Sequence, residues 1–357
     1  MSDKALYLHD NKQNICFNLA FFATLLTFVV VILGAYTRLT DAGLGCPDWP
    51  GCYGQFTVPT KTDMLTSNNS IIDVKKAWTE MIHRYVAGLL GVIIFALAVL
   101  STYKRNQNIS LARNNQPIIL PLILVVLVVF QALLGMWTVT LKLFPLVVMA
   151  HLLGGMTTLA LLWWLTLDFK STQSHFTLNT NKLGTGNMNE LRIWALGGLV
   201  ILIIQISLGG WTSANYAALV CLDFPFCQGQ IIPQLNFSEA FNFTAAGVTG
   251  SIGKPLDLTA RVTIQMVHRF GAIISALVIG WLAFLSFTRV NNSAIKILSI
   301  IIITLLLLQI ILGITNVLAL LPLPVAVLHN AVAALLLLAL ITLNYHFRFI
   351  GKDFVKL

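Results

Sequence analysis

Four histidines stand in strongly apolar surroundings: His83, His151, His268 and His329. A single such histidine is most often a hydrogen-bonded packing residue. Four at one depth are different, because ionisable groups within apolar spans are costly and mark functional sites. His83 lies in "EMIHRYVAG" and His268 in "QMVHRFGA". His151 lies in "MAHLLGG" and His329 in "VLHNAVA", each twenty residues after a glutamine, Gln131 or Gln309. Two imidazoles on facing helices are the arrangement that ligates a haem iron from both sides in a four-helix bundle. The order of the motifs pairs His83 with His151 and His268 with His329. Zinc is the rival metal, but each pair lacks a neighbouring set of Cys or carboxylate ligands to complete four. His9, His175 and His346 fall in or beside the tails and the linker, and read as surface residues.

The two histidine motifs differ in one charge. Glu80 precedes His83 by three residues and shares its helix face, whereas Gln265 stands before His268. A carboxylate at that depth is expensive unless something uses it. Chemically it could stabilise positive charge on a bound substrate or take a proton from it. The plainer alternative is an ion pair with Lys76 or Arg84. Arg84 and Arg269 each follow a histidine directly and are candidate contacts for haem propionates, with snorkelling to the interface as the competing account. Gly88, Gly91, Gly154, Gly155 and Gly271 offer either room for a macrocycle or close helix packing.

Two Cys-x5-Cys loops, "GCPDWPGCYGQ" and "VCLDFPFCQGQ", complete the chemistry-bearing residues. Cys46 can bridge Cys52, and Cys221 can bridge Cys227, with prolines helping to bring the ends together. Each bridge reads as a staple shaping a lid, or, for the first, as a redox pair. Asp48 and Asp223 orient the loops or cap turns. Trp49 and Phe224 are expected over the haem edge, and Cys16 reads as inert packing.

These residues need a scaffold in lipid. Hydrophobic residues make up 57% of the chain and charged residues 10%, with a mean hydropathy of +0.84. Apolar stretches near 16–38, 78–102, 117–140, 145–168, 191–213, 261–288, 294–319 and 323–346 are each long enough to span a bilayer. The fold class is therefore an all-α polytopic membrane protein with eight transmembrane helices. The first span lacks a basic leader and a small-residue cleavage site, so it is expected to be retained. Basic residues such as Lys104, Arg105, Lys170, Arg192, Arg289 and Arg348 gather on the side of both termini, which suits a cytoplasmic face. The net charge of +9 thus reads as topology and lipid contact. Nothing basic is gathered into a soluble domain, which excludes nucleic-acid binding.

The ordered recurrence of the loops, the histidine motifs and "QALLGMWTV" against "QIILGITNV" indicates a duplicated four-helix unit. An even number of crossings per copy makes the repeat parallel, giving two four-helix bundles. Residues 1–180 form the N-terminal half, 181–190 a cytoplasmic linker and 191–357 the C-terminal half.

Across nearly the whole chain, the "TRLTDAGLGCPDWPGC" entry to the first loop, "EMIHR" and the three later histidines resemble the heme A synthase family. The resemblance implies oxidation of the C8 methyl of heme O to a formyl group by successive hydroxylation. It implies heme O between His83 and His151 in a catalytic N-terminal half, with Glu80 assisting, and a heme b cofactor on His268 and His329. Implied partners are the farnesyltransferase that makes heme O and the cytochrome oxidase that receives heme A. A quinone or other electron acceptor and a homo-oligomer are compatible with it. A bacterial cell membrane with both termini cytoplasmic is the expected location. Two other classes stand beside this reading: a dihaem b-type carrier of quinol electrons, and an outer-face thiol–disulfide oxidoreductase.

Overall fold

The computed structural model describes residues 3–59, 73–107, 117–173, 185–243 and 256–349, and side chains within 15–59, 73–103, 117–170, 188–243 and 256–348. His175, residues 181–184 of the expected linker, and the side chains of His9, Lys104 and Arg105 lie outside the described residues. Nine helices occur among the described residues: α1 (Asp3–Leu39), α2 (Val74–Gln107), α3 (Ile119–Thr140), α4 (Pro145–Gln173), α5 (Thr185–Ala214), the short α6 (Phe237–Ala240), α7 (Leu258–Arg289), α8 (Ser293–Leu318) and α9 (Leu323–Phe349). All but α6 are long and apolar enough to cross a membrane, over segments that match the eight apolar stretches. Residues 185–190, expected as linker, form the first turns of α5.

Helix ends repeat as faithfully as the motifs. The last turns of α1, α3, α5 and α8 close with the same pair of amide-to-carbonyl bonds. In α1 the Ala42 amide donates to Thr37 O at 2.9 Å, and in α5 the Ala217 amide donates to Thr212 O at 2.9 Å. In α3 Leu143 donates to Thr138 O at 2.7 Å, and in α8 Leu321 donates to Asn316 O at 2.8 Å. The residues that turn the chain are left-handed although none is glycine: Asp41, Tyr216, Lys142 and Leu320 have φ of 51°, 52°, 49° and 59°. Pro145 then opens α4 with a pre-set φ, and no backbone bond is lost there.

Within the N-terminal half α1 touches α2 and α4, and α3 touches α2 and α4, closing a four-helix ring. In the C-terminal half α5, α7, α8 and α9 close the same ring. The halves meet through α1 with α9, α4 with α5, and α4 with α9. Because α1 corresponds to α5 and α4 to α9, the first two contacts exchange under a twofold rotation and the third lies on its axis. That is the isologous pattern of a symmetric dimer, here within one chain. Of the hydrophobic window of α9, 56% is buried, against 17% for α3 and α8, so α9 is central and the latter two face outward.

Polar groups pin this interface. Trp163 Nε1 donates to Thr342 Oγ1 at 2.8 Å, and Tyr345 Oη donates to Leu167 O at 3.2 Å. At the loop end Arg38 Nη2 donates to Ser213 O at 2.7 Å and its guanidinium lies 4.3 Å from the centre of the Tyr216 ring. His346, expected at the surface, is instead half-buried in the last turn of α9 with its ring against Tyr345.

Candidate functional site

Helices α2 and α7 carry the first histidine of each half, and α4 and α9 the second. The ring centres of His83 and His151 are 6.5 Å apart and nearly perpendicular. Two imidazoles bound to one metal at about 2 Å each place their ring centres roughly 6 Å apart, so this pair fits a single shared metal. His268 and His329 lie within electrostatic reach of one another in the C-terminal half.

Each imidazole rests on a glycine of the neighbouring helix. A Cβ built on Gly34, Gly209 or Gly313 would stand 3.2 Å from Cε1 of His83, His268 or His329, and one on Gly135 would stand 3.5 Å from Cε1 of His151. These four glycines were missed from sequence, although Gly135 and Gly313 lie in the quoted repeat "QALLGMWTV" and "QIILGITNV". Gly34 and Gly209 likewise occupy one repeat position. Pairing the glycines across the duplication would have found them. Of the glycines that sequence did single out, Gly154 accommodates the Gln131 side chain and Gly271 that of Gln205. Gly91 and Gly155 make ordinary contacts with Val128 and Val31, and Gly88 faces open space.

Nδ1 of His83, His151 and His329 is buried with no hydrogen-bond partner among the described residues. Buried polar atoms are normally satisfied, so each of these three rings keeps a nitrogen with no protein partner, unlike His268, whose Nδ1 lies 3.1 Å from Gln205 Nε2. No cluster of three His, Cys, Asp or Glu side chains occurs among the described residues, which leaves a four-ligand zinc set without its donors. An apolar macrocycle whose metal is held by two imidazoles would fit the residues present, with His83 and His151, or His268 and His329, to hold it.

Above the histidines the two halves build the same roof from different chemistry. Glu80 is 4% exposed; its Oε2 accepts from the Cys46 amide at 2.9 Å and its Oε1 from Arg84 Nη2 at 2.5 Å. Gln265 is 3% exposed; its Oε1 accepts from the Cys221 amide at 2.9 Å while its Nε2 donates to Ala218 O at 2.8 Å. The ion pair with Arg84, weighed from sequence as the plain alternative for Glu80, is therefore formed. Lys76 makes no ion pair among the described residues.

The arginines serve the loops. Arg84 Nη1 donates to the carbonyls of Asp48 at 2.9 Å, Pro50 at 3.2 Å and Gly51. Arg269 donates to Asp223 O at 3.1 Å, Phe226 O at 2.8 Å and Cys221 O at 2.9 Å. Both guanidinium groups, candidate propionate contacts from sequence, are thus each anchored to three loop carbonyls, and Arg269 Nε has no partner among the described residues.

Both disulfides, Cys46–Cys52 and Cys221–Cys227, are formed, and Cys16 is buried away from them in the N-terminal core. Each bridge is followed by a two-residue turn with both central residues at positive φ: Tyr53 at 54° and Gly54 at 76°, Gln228 at 54° and Gly229 at 74°. Cys52 and Cys227 pair with Gln55 and Gln230 to close these turns. The Asp48 carboxylate accepts from the amides of Tyr53 at 2.6 Å and Gly54 at 2.7 Å, and Asp223 from those of Gln228 at 2.9 Å and Gly229 at 2.8 Å. The shared Asp and Gly-Gln of the two loops are thus the parts of one turn. Chiefly through the Gly229 amide, the Asp223 carboxyl is held below the usual carboxylate range. Trp49 and Phe224 are exposed on the roof, the latter 5.9 Å from the Arg269 guanidinium.

Residues 17–341 match the family described as cytochrome oxidase assembly protein. The chain is 45% identical over 325 residues to the heme A synthase of Shewanella oneidensis, covering 89% of this chain and 92% of that one. The chain belongs to the heme A synthase family. A heme A synthase of a Caulobacter species is 26% identical over 355 residues, covering 92% and 94%, and that of Alkalihalophilus pseudofirmus is 27% identical over 275 residues, covering 76% and 82%. As a member of the heme A synthase family the protein is a membrane-embedded oxidoreductase of heme A formation. The twin histidine pairs lie beneath twin roofs, and Glu80 gives the N-terminal one a carboxylate where Gln265 gives the other an amide.

Proposed function

We propose that the protein oxidises the C8 methyl of heme O to the formyl group of heme A by successive hydroxylation, with the electrons released passing to a quinone or other external acceptor. Heme O occupies the N-terminal half between His83 and His151, and heme b the C-terminal half between His268 and His329. The observation that carries this assignment is the exchange of Glu80 for Gln265 at equivalent positions with the same 2.9 Å bond to the loop amide. One helical turn separates Glu80 from His83, so its carboxylate lies at the loop-side edge of that pocket. There it stabilises positive charge developing at the reacting carbon or accepts its proton. Cys46 and Arg84 hold it in orientation, so little reorganisation is needed when charge develops. Heme b, when bound, supplies one-electron transfer. Heme O comes from a farnesyltransferase and heme A passes to a cytochrome oxidase, both at a bacterial cell membrane with the chain termini on the cytoplasmic side.

Pigment extracted from cells that supply heme O tests the reading. The wild-type chain accumulates heme A, and Glu80→Ala accumulates heme O or a hydroxylated intermediate. Unchanged heme A from Glu80→Ala would overturn the catalytic role and leave a dihaem electron carrier.

A further inference from the structure

The halves also differ behind the histidines, on the side away from the roof. In the C-terminal half Gln205 of α5 reaches His268: its Nε2 donates to the His268 carbonyl at 3.0 Å and lies 3.1 Å from Nδ1 of the ring. Gly271, one turn beyond His268 on α7, makes room for that amide, since a Cβ there would collide with Gln205 Oε1. The N-terminal half has neither residue. Gly34 and Gly209 carry the two imidazoles at the same 3.2 Å, which sets the register of α1 against α5. In that register Val30 stands where Gln205 does, four residues before the glycine, and Val86 stands where Gly271 does, three residues after the histidine. His83 Nδ1 accordingly has no partner among the described residues.

We infer that Gln205, admitted by Gly271, is a positioning residue that makes haem ligation by His268 permanent, and that its replacement by Val30 leaves His83 a releasable ligand for a haem that must enter and leave. The inference rests on the proposed placement of heme b in the C-terminal half and heme O in the N-terminal half. Its physical basis is the outer partner of a metal-bound imidazole. A hydrogen bond to the ring nitrogen away from the metal fixes the tautomer and ring plane and strengthens the bond, and its loss typically costs about 10- to 100-fold in affinity. The amide suits both states of the ring. Its nitrogen donates to an Nδ1 lone pair as seen here, and its oxygen, which has no partner among the described residues, accepts from Nδ1–H once the other nitrogen is metal-bound and the amide turns over, giving up its bond to the His268 carbonyl. A cofactor that stays and a substrate that turns over need opposite off-rates from ligand pairs of the same residue type. The Gln205 with Gly271 and Val30 with Val86 combinations provide that difference with no change of ligand.

The test uses the full chain purified in detergent with its haem bound. Haem b loss to excess apomyoglobin is followed spectrophotometrically, and the haem b midpoint potential is measured in the same samples. Gln205→Val is expected to speed haem b loss about 10- to 100-fold and to raise the midpoint potential, because the imidazole becomes a weaker donor. Gln205→Glu, which keeps an acceptor for Nδ1–H, is expected to restore retention and lower the potential. In the reverse direction, Val30→Gln with Val86→Gly is expected to trap heme A in the purified protein. Unchanged loss rate and potential in Gln205→Val, with haem b absent from His268→Ala, overturns the inference and leaves the placement of heme b standing. Retention of haem b in His268→Ala overturns the placement itself. If Gln205→Val does not accumulate, the Val30→Gln, Val86→Gly variant decides: no trapped heme A overturns the inference.

Discussion

The Cys46 amide and the Glu80 carboxylate meet at 2.9 Å, so the first disulfide loop hangs from the side chain that distinguishes the N-terminal pocket. The Cys221 amide and Gln265 repeat the contact at the same distance. A carboxylate and an amide are nearly isosteric, and the roof accepts either. What differs is the charge and the Arg84 partner, which separates the structural part of Glu80 from its chemistry.

Two substitutions divide those parts. Glu80→Ala leaves the Cys46 amide and the Arg84 guanidinium without their buried acceptor, and is expected to lower stability by roughly 3–5 kcal/mol. Glu80→Gln keeps the amide bond as Gln265 does, and is expected to cost less than half of that. Thermal unfolding in detergent reads the difference. Extracted pigment is expected to show heme O or a hydroxylated intermediate in both variants; normal heme A from Glu80→Gln would mean that shape, not charge, is what the pocket requires.

The disulfides make separate predictions. Each closes a short loop, and its removal is expected to cost about 2 kcal/mol. In the second loop Asp223 and Arg269 still hold the turn, so Cys221→Ser with Cys227→Ser is expected to retain heme b. A thiol–disulfide oxidoreductase would instead lose all activity with Cys46→Ser and tolerate His268→Ala, and assaying that pair of variants side by side discriminates the two classes.

Asp223 should make the second loop acid-sensitive. Its carboxyl is held below the ordinary range, first by the Gly229 amide, so its contribution to stability is present above the unfolded value of about 3.9 and is lost as pH falls through the lower folded value. Wild type is therefore expected to exceed Asp223→Ala in melting temperature at pH 6, with the gap closing below about pH 4. A gap independent of pH would assign the effect to packing.

Each imidazole depends on the glycine beneath it. Gly209→Ala brings a methyl group 3.2 Å from His268 Cε1, and the ring must shift by a few tenths of an ångström or the helices must part. A destabilisation of roughly 1–3 kcal/mol is expected, with altered haem b absorption. Gly34→Ala should leave the haem b spectrum unchanged and perturb heme A formation.

Span number, the duplication, its parallel sense and the histidine pairs were legible because each rests on local hydropathy or on motifs recurring in order. Mean hydropathy locates Ile15–Leu39 and Leu323–Arg348 whatever their neighbours. Arg84 was legible as a cation beside the pocket, but its hold on the loop carbonyls was not. Its side chain reaches carbonyls more than thirty residues away, and no spacing rule encodes that reach. His346 was misplaced because nearness to the terminus suggests the surface, whereas the helix that carries it is the most buried of the eight spans.

By itself the sequence determined a lipid-spanning chain of two like halves, four inward histidines and one unmatched carboxylate, since apolar length and residue identity suffice for those. Only the tertiary structure decided which glycine carries each imidazole, which carbonyls the arginines satisfy, and that Gln205 reaches His268 where Val30 leaves His83 without a partner. Those contacts depend on the rotation and depth of one helix against another, and side-chain packing between segments distant in the chain sets both.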